Sequence, residues 1–290
     1  MSSQEPIDGQ WVRSVWPVPS VEDDKYSRGV VGVVAGSEAY PGAAVLVCLA
    51  ALRAGVGAVH YVGPRRAQDL VLARRPEVIA HDPADASHTL PRASAWVVGP
   101  GVADHPGQDA VIGAVLASGL PCVVDAGALE AAARARAAGA REAAADRVLF
   151  TPHAGELVRT LGALRHDATD MDVARDRAGH ARLLAETVRA TVLLKGSETL
   201  VASPGGAVRE LPAATPWLAT AGSGDVLAGI AGSLLAAGLT AADAGAAAAW
   251  AHANAALHAA HVGVHGSQGG PIAAADIAEA LPAVVATMLR

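Results

Sequence analysis

The stretch Gly29-Val30-Val31-Gly32-Val33-Val34-Ala35 decides the fold class of this chain of 290 residues. Its run of valines is typical of a strand that is buried on both faces of a sheet. Residues 36–42 interrupt the run, and the apolar segment 43–54 that follows predicts a helix ended by Gly55. A buried strand followed directly by a helix is the unit from which parallel α/β sheets are built.

The same alternation continues through the chain and predicts an α/β fold. Strands are predicted at 57–62, 77–81, 95–98, 121–125, 147–150 and 190–196, with a turn-rich segment after the second of these. Helices are predicted at 65–73, 107–118, 128–144, 154–162, 171–186, 241–260 and 273–289. Two short segments joined by the turn Pro204-Gly205-Gly206 predict antiparallel strands. We therefore expect a mostly parallel central sheet with an antiparallel edge, covered by helices on both faces.

Residues 1–28 are polar, lack periodicity and are predicted to form an N-terminal extension, with Trp11 and Trp16 packed back on the body. Residues 29–290 are predicted to form a single domain. The first residues do not have the pattern of a signal peptide, and no apolar run reaches the roughly 18 residues needed to span a membrane. The extension is therefore not expected to direct the chain to a membrane.

Composition excludes several classes of function. Apolar residues make up 52% of the chain and charged residues 17%, which predicts a folded protein. A net charge of −6 argues against a nucleic-acid or anionic-membrane partner. Cys48 and Cys122 lie in apolar segments and read as core residues of a protein in a reducing compartment such as the cytoplasm. The phosphate-binding, dinucleotide-binding and hydrolase glycine motifs are absent from the sequence.

The segment Gly222-Ser223-Gly224-Asp225 carries the most informative chemistry. Its glycines expose backbone N–H groups at the start of a helix, which makes an anion hole. Asp225 has two interpretations: an acid that is favoured in the first turn of a helix, or a base that takes a proton from a hydroxyl attacking a phosphoryl group. These four residues alone do not decide between the two interpretations.

Other predicted strand ends also carry polar or small residues. Asp125 is read as a helix N-cap, and Gly99-Pro100-Gly101 as an ordinary turn, unless neighbouring residues indicate otherwise. His153 and Glu156 are spaced to share the first turn of a helix, either as part of a capping box or as a polar pair facing a cleft. Lys195 is one of only two lysines in the chain, and a lysine at the end of an apolar strand is not typical surface decoration.

Four histidines follow near the C-terminus: His252, His258, His261 and His265. Only His258 and His261 have the spacing of one helical face, and no acidic ligand accompanies them. We therefore expect solvated or subunit-facing histidines rather than a metal site.

Taken together, motifs in this order resemble those of the ADP-dependent NAD(P)H-hydrate dehydratases of the ribokinase-like superfamily. The resemblance extends over about residues 29–288. It is carried by Gly36-Ser37, Tyr40-Pro41-Gly42-Ala43-Ala44, Ala51-Leu52-Arg53-Ala54-Gly55-Val56-Gly57, Val98-Gly99-Pro100-Gly101, Thr151-Pro152-His153-Ala154-Gly155-Glu156, Leu194-Lys195-Gly196-Ser197-Glu198-Thr199, Leu218-Ala219-Thr220-Ala221-Gly222-Ser223-Gly224-Asp225 and the closing Ala274-Ala275-Asp276-Ile277.

The resemblance implies a three-layer α/β/α sandwich and the repair of a hydrated cofactor, in which NADHX or NADPHX loses water at the expense of ADP or ATP with Mg²⁺. It implies that Asp225 is the catalytic base and also contacts the substrate. It assigns substrate contacts to Ala43, Gly101 and His153, and nucleotide contacts to Lys195, Gly196, Ser197, Glu198, Thr199 and Gly224. Glu156 would organise water bound to the metal. Relatives are often tetramers, and a homo-oligomer is expected.

The sequence departs from the family pattern at a few positions. The family commonly has proline at Ala154, aspartate at Gly127, and glycine at Ala221 and Trp217. Trp217 is the most consequential because a bulky ring just before the anion hole alters substrate access. The epimerase domain often fused ahead of this domain does not fit into 28 residues, so a separate epimerase is expected.

Two alternatives remain open at the level of sequence. A ribokinase-like kinase of a hydroxymethylpyrimidine or a sugar would use the same Asp225 as base, but its product would keep the phosphate. A nucleotide-binding regulator that has lost catalysis is suggested by the departures from the family pattern.

Overall fold

The computed structural model of the chain describes residues 7–103, 105–140 and 143–290. Within these ranges nine strands form one sheet: β1 (Val30–Val34), β2 (Ala58–Val62), β3 (Ile79–His81), β4 (Ala95–Val98), β5 (Cys122–Val124), β6 (Val148–Phe150), β7 (Thr191–Leu194), β8 (Thr199–Ala202) and β9 (Val208–Leu211). The α-helices of the same ranges are α1 (Gly9–Val15), α2 (Pro41–Arg53), α3 (Arg65–Arg74), α4 (Pro83–His88), α5 (Pro106–Ala117), α6 (Leu129–Ala137), α7 (Ala154–Ala163), α8 (Asp170–Arg175), α9 (Arg177–Val188), α10 (Ser223–Ala236), α11 (Ala241–Ala259) and α12 (Ala274–Met288).

The strands lie in the order β3-β2-β1-β4-β5-β6-β7-β8-β9. Neighbouring strands from β3 to β7 are parallel, whereas β8 and β9 pair antiparallel. The predicted mostly parallel sheet with an antiparallel edge is therefore confirmed. Strands β2 and β3 lie on one side of β1, whereas β4 and all later strands lie on its other side. The loops after β1 and β4 therefore diverge and open a crevice, which is where ligands bind in such sheets.

Side chains on the two faces of the sheet belong to two separate cores. Val97 of β4 packs in the core formed with α2, α10, α11 and α12, while its neighbours Trp96 and Val98 face the core formed with α5, α6, α7 and α9. This alternation is the period of two that a strand imposes on its side chains. The result is the predicted three-layer α/β/α sandwich.

Helix α10 is the most buried helix of the first core, and every residue from Val226 to Ala236 is buried. Gly229 lets it approach α2 closely, because a Cβ atom at this position would lie 2.5 Å from the carbonyl oxygen of Val47. Contacts with α2, α11 and α12 and with the strands of the sheet hold α10 in place. Its first turn lies at the carboxyl ends of the parallel strands, beside the end of β7.

Several predicted boundaries differ from the structure. The N-terminal extension contains α1, and the predicted packing of its tryptophans is confirmed, since Trp16 is buried and Trp11 packs against the same core. Helix α4 lies in the segment expected to form turns, where the Asp82 carboxylate accepts a hydrogen bond from the Ala84 N–H and caps the helix. A cap of this kind stabilises a helix too short to show periodicity.

Two predicted helices are wrong in extent. The helix predicted at 128–144 ends at Ala137, and Gly139 follows with a φ of 109°; positions 141 and 142 of that prediction lie outside the described residues. The helix predicted at 171–186 is the pair α8 and α9, which meet at Asp176, whose carboxylate accepts from the Gly179 N–H. None of the helices in the described ranges is long and apolar enough to cross a membrane.

Candidate active site

Three parallel strands end next to one another in charged or polar residues. Asp125 follows β5, His153 follows β6, and Lys195 follows β7. The last two are held side by side because the Lys195 N–H donates to the carbonyl of Pro152 at 2.8 Å and the pairing of β6 with β7 continues to His153. The Lys195 ammonium then donates to the Asp125 carboxylate at 2.7 Å and lies 3.6 Å from Glu156 Oε2.

The charged groups of this cluster are largely withdrawn from water. The side chain of Lys195 is 18% exposed and that of Asp125 only 2%. Burial by itself lowers the pKa of Lys195, but the negative charges of Asp125, Glu156 and Asp225 outweigh it and raise the pKa above its usual value. Lys195 is therefore positively charged at neutral pH at this edge of the sheet.

The first turn of α10 lies against this lysine. Gly222 precedes the helix with a φ of 87°, a conformation that glycine adopts without strain. A Cβ atom at Gly224 would lie 3.4 Å from the lysine nitrogen, so the ammonium and the start of the helix are in contact. One of the predicted anion-hole donors, the Ser223 N–H, donates to the carbonyl of Thr220 at 3.3 Å. The dipole of α10 and the lysine both favour an anion at this point.

Asp225 is the third residue of α10 and shares this environment. Burial, together with the negative charges of Asp125 and Glu156, raises the pKa of its carboxyl to about 7, although the positive charge of Lys195 opposes this increase. A carboxyl group that titrates near neutral pH is suited to exchange protons with a substrate. Helix capping alone does not require such a setting, so the geometry favours the second of the two interpretations of Asp225.

His153 and Glu156 form the capping box of α7. The His153 N–H donates to Glu156 Oε2 at 2.8 Å, and the Glu156 N–H donates to His153 Nδ1 at 3.3 Å. The helix cap is thus His153 itself, whereas the Thr151 hydroxyl donates to the carbonyl of Val124 at 3.3 Å. Both interpretations of the pair hold in part, because Glu156 caps a helix and also faces Lys195.

Ala43 and Gly101 meet in the crevice between β1 and β4. A Cβ atom at Gly101 would lie 2.5 Å from the Cβ atom of Ala43 and 3.1 Å from the Tyr40 carbonyl oxygen, and the backbone φ at Gly101 is 63°. The two loops are joined where the Gly36 N–H donates to the Pro100 carbonyl at 2.7 Å. Small residues are therefore required here by the fold itself, and they leave backbone accessible to a ligand.

The predicted nucleotide segment forms the turn between β7 and β8. Its central residues, Gly196, Ser197 and Glu198, are exposed, while Thr199 begins β8. The Arg177 guanidinium braces the turn by donating to the carbonyls of Lys195 at 3.3 Å and Glu198 at 3.0 Å. Arg177 could not be identified from the sequence, because its partners are backbone carbonyls about 20 residues away in the chain.

Two further residues of the site were not identified from the sequence. Asp125 was read as a helix cap, but its side chain makes no capping hydrogen bond and pairs with Lys195 instead. His252 was expected to face solvent or another subunit, and that is wrong: it is buried on α11 and lies close to the Ser223 backbone. Burial lowers the pKa of His252 to about 4, so this ring is neutral at pH 7.

Comparison with known proteins identifies the family. The model of the NAD(P)H-hydrate dehydratase family matches residues 31–277 of this chain. The chain belongs to the NAD(P)H-hydrate dehydratase family. This match spans the strand ends that form the charged cluster and the first turn of α10.

Curated dehydratase relatives agree with this placement. The bifunctional NAD(P)H-hydrate repair enzyme Nnr of Mycobacterium tuberculosis is 47% identical over 81% of this chain, but the match covers 46% of that protein. The chain thus spans about half the length of this relative. The ADP-dependent (S)-NAD(P)H-hydrate dehydratase of Neisseria meningitidis is 36% identical over 78% of this chain and 75% of its own length.

A solved dehydratase structure has the same fold. The ADP/ATP-dependent NAD(P)H-hydrate dehydratase of Bacillus subtilis, crystallised with ATP and Mg²⁺, superposes with a TM-score of 0.83 at 25% identity, covering 99% of this chain and 100% of that one.

Trp217, one of the departures from the family pattern, lies in a short turn before α10 and is 40% exposed. It packs beside Gly269 rather than among the charged groups around Lys195.

Proposed function

We propose that this chain catalyses the ADP-dependent dehydration of (S)-NADHX and (S)-NADPHX to NADH and NADPH. The observation that carries the proposal is the position of Asp225: a carboxyl group with a pKa of about 7, next to a partly buried lysine and at the start of a buried helix. Family membership supplies the reaction class, and the names of the relatives from Neisseria meningitidis and Bacillus subtilis supply the nucleotide.

In the proposed reaction Asp225 takes the proton of the ring hydroxyl as its oxygen attacks the terminal phosphoryl group of ADP. A phosphate ester forms and AMP leaves. The electrons of the ring nitrogen then expel phosphate, and a proton leaves the neighbouring ring carbon to restore the dihydronicotinamide. Lys195 and the N–H groups at the start of α10 stabilise the charge that develops on the transferring phosphoryl group.

The assignment of residues to ligands follows the same proposal. Ala43, Gly101 and His153 contact the hydrated dinucleotide, and Lys195, Gly196, Ser197, Glu198, Thr199 and Gly224 contact the adenine nucleotide. The turn between β7 and β8 is suited to this task because Arg177 holds its backbone and leaves its side chains exposed. In this proposal Asp225 acts between the two ligands, where the phosphoryl group is transferred.

The donor set fits Mg²⁺ bound through water. Mg²⁺ is held in proteins by one or two carboxylates together with substrate phosphates and several waters. Glu156 Oε2 accepts the His153 N–H and lies 3.6 Å from Lys195, which suits an outer contact with hydrated metal more than a direct bond. When bound, Mg²⁺ would offset the negative charge of the nucleotide phosphates.

The decisive test incubates the purified chain with NADHX, ADP and Mg²⁺ and follows the absorbance of the dihydronicotinamide at 340 nm. We expect recovery of NADH with release of one AMP and one phosphate for each turnover. A parallel reaction with ATP measures the nucleotide preference. No recovery with either nucleotide would refute the dehydratase, and a stable phosphorylated product would support a kinase instead.

Three related predictions belong to the same proposal. The enzyme is expected to act in the cytoplasm, to assemble into homotetramers, and to depend on a separate epimerase for the other epimer of its substrate. Each stays a prediction.

A further inference from the structure

A cleft of 730 Å³ lies beside the charged cluster. Of the residues that line it, only Glu156 has a role in the proposed function. Its walls come from the start of α2, from the turn after β5, and from helices α6 and α7. Tyr40, on the first wall, is 63% exposed and adjoins Gly101. The cleft therefore extends from the predicted substrate residues in the crevice to the capping box of α7.

Two arginines stand along this cleft, Arg134 on α6 and Arg159 on α7. Both approach the same carboxylate, with Arg134 Nη1 3.6 Å from Glu130 Oε2 and Arg159 Nε 4.0 Å from Glu130 Oε1. These separations are long for ion pairs, and both arginine side chains are more than half exposed. Since one carboxylate balances only one guanidinium, the group of three carries a net positive charge. The other carboxylate of the cleft, Glu156, lies 3.6 Å from the Lys195 ammonium, which offsets its charge.

We propose that Arg134 and Arg159 bind the pyrophosphate of the hydrated dinucleotide. This inference rests on the proposed function, which places the hydrated ring beside Asp225 and leaves the rest of the substrate to be held elsewhere. Arginine is suited to phosphate because its planar donors form paired hydrogen bonds. The exposed ring of Tyr40 offers a face on which an aromatic base stacks. A cleft of this volume lies within the range of sites for small ligands, about 300–1,000 Å³.

The adenine nucleotide does not compete for this cleft in the proposed arrangement. Its predicted segment, Lys195 to Thr199, lies at the end of β7, while the arginines lie on helices that follow β5 and β6. Loss of the arginines is therefore expected to weaken binding of one substrate and not the other. The pyrophosphate is common to NADHX and NADPHX, so both are expected to be affected equally.

The test measures KM and kcat for NADHX, NADPHX and ADP in wild type, in R134Q, R159Q and the double variant, and in E130Q. We expect each arginine substitution to raise KM for both hydrated dinucleotides about three- to tenfold, as for a half-exposed charged hydrogen bond. E130Q is expected to lower that KM about twofold, because it removes a competing negative charge. The KM for ADP and the kcat should change less than about twofold in every variant.

The matched control is R65Q, which removes an arginine that is 83% exposed on α3 and pairs with Asp69. It should leave every constant unchanged, which separates a local effect from a change in total charge. Glutamine is nearly as good a helix former as arginine, so folding should be preserved in these variants. E130Q is a second test, because it should lower the KM for the hydrated dinucleotides where the arginine substitutions raise it.

The results separate this inference from the function on which it rests. An inactive wild-type enzyme would refute the proposed function. An active wild type whose KM for the dinucleotides is unmoved by R134Q and R159Q would overturn the pyrophosphate site alone. So would an increase confined to NADPHX, which would assign the arginines to its additional phosphate, or an increase in the KM for ADP.

Discussion

The Asp225→Asn substitution removes one negative charge from the candidate active site and keeps a side chain of nearly the same size. If Asp225 is the base, turnover of NADHX should be abolished while nucleotide still binds. The same change should stabilise the protein above neutral pH, because the folded state holds this carboxylate against burial and against the charges of Asp125 and Glu156. Function and stability are thus expected to move in opposite directions.

The size of the stabilisation follows from the pKa of Asp225, which rises from 3.8 to about 7 on folding. An increase of about 3 in pKa corresponds to about 4 kcal/mol at about 1.36 kcal/mol for each unit of pKa. Because Asp225 is only partly buried, we take about 2 kcal/mol as the expected gain. The gain is fully present when the folded-state carboxyl is ionised, above pH 7, and fades as the pH falls towards 3.8.

Urea unfolding of wild type and variant across this pH range measures the free energy of unfolding directly. The matched control is Asp276→Asn, because Asp276 occupies the same third position of α12 and accepts the Ala273 N–H at 2.8 Å. That variant should lose stability, since its carboxylate caps a helix. Equal stability of wild type and D225N at all pH values would refute the electrostatic account, and undiminished turnover in D225N would refute its role as the base.

Three further predictions follow from the geometry. The kcat/KM of wild type should rise with pH through about 7, and Asp125→Asn should move this rise to lower pH in a pH–rate profile, because the Asp125 charge raises the pKa of Asp225. Gly101→Ala should lower the free energy of urea unfolding by about 1–3 kcal/mol and raise KM for the dinucleotides, since its φ of 63° is strained for alanine and its Cβ would crowd Ala43. His252 should contribute a loss of up to about 3 kcal/mol of stability as the pH falls from 6.5 to 4, because its pKa is about 4 in the folded state and its protonation is resisted only there. Urea titrations should show this loss as the difference between wild type and His252→Asn, since the contribution of Asp225 is common to both.

Much of the fold was accessible from local pattern. The β-branched run at Val30–Val34 and the strands after it were predicted correctly. A buried strand needs a continuous apolar segment, whichever strands it pairs with. Helix boundaries were less accessible. The break at Asp176 and the end of α6 depend on single capping or glycine positions within otherwise helical sequence, and α4 is too short to show a period.

The candidate active site was accessible only in part. Asp225, Lys195, His153 and Glu156 were singled out from residue type and position, and the parallel sheet brings them together because carboxyl ends of its strands meet at one edge. The roles assigned to them stay predictions. His252 lies about 30 residues beyond Ser223 on the next helix, and nothing in its own neighbourhood distinguishes it from the exposed His258.

The sequence by itself determined the α/β alternation, the parallel sheet with its antiparallel edge, and the presence of an acid after a glycine turn. These features show in local sequence patterns, because each strand, helix and turn carries its own signature of residue types. Only the tertiary structure decided the partner of Lys195, which is Asp125, 70 residues away and just after another strand. It also decided the chemical character of Asp225, because a pKa is set by burial and by neighbouring charges, and both exist only once the strands and α10 are packed.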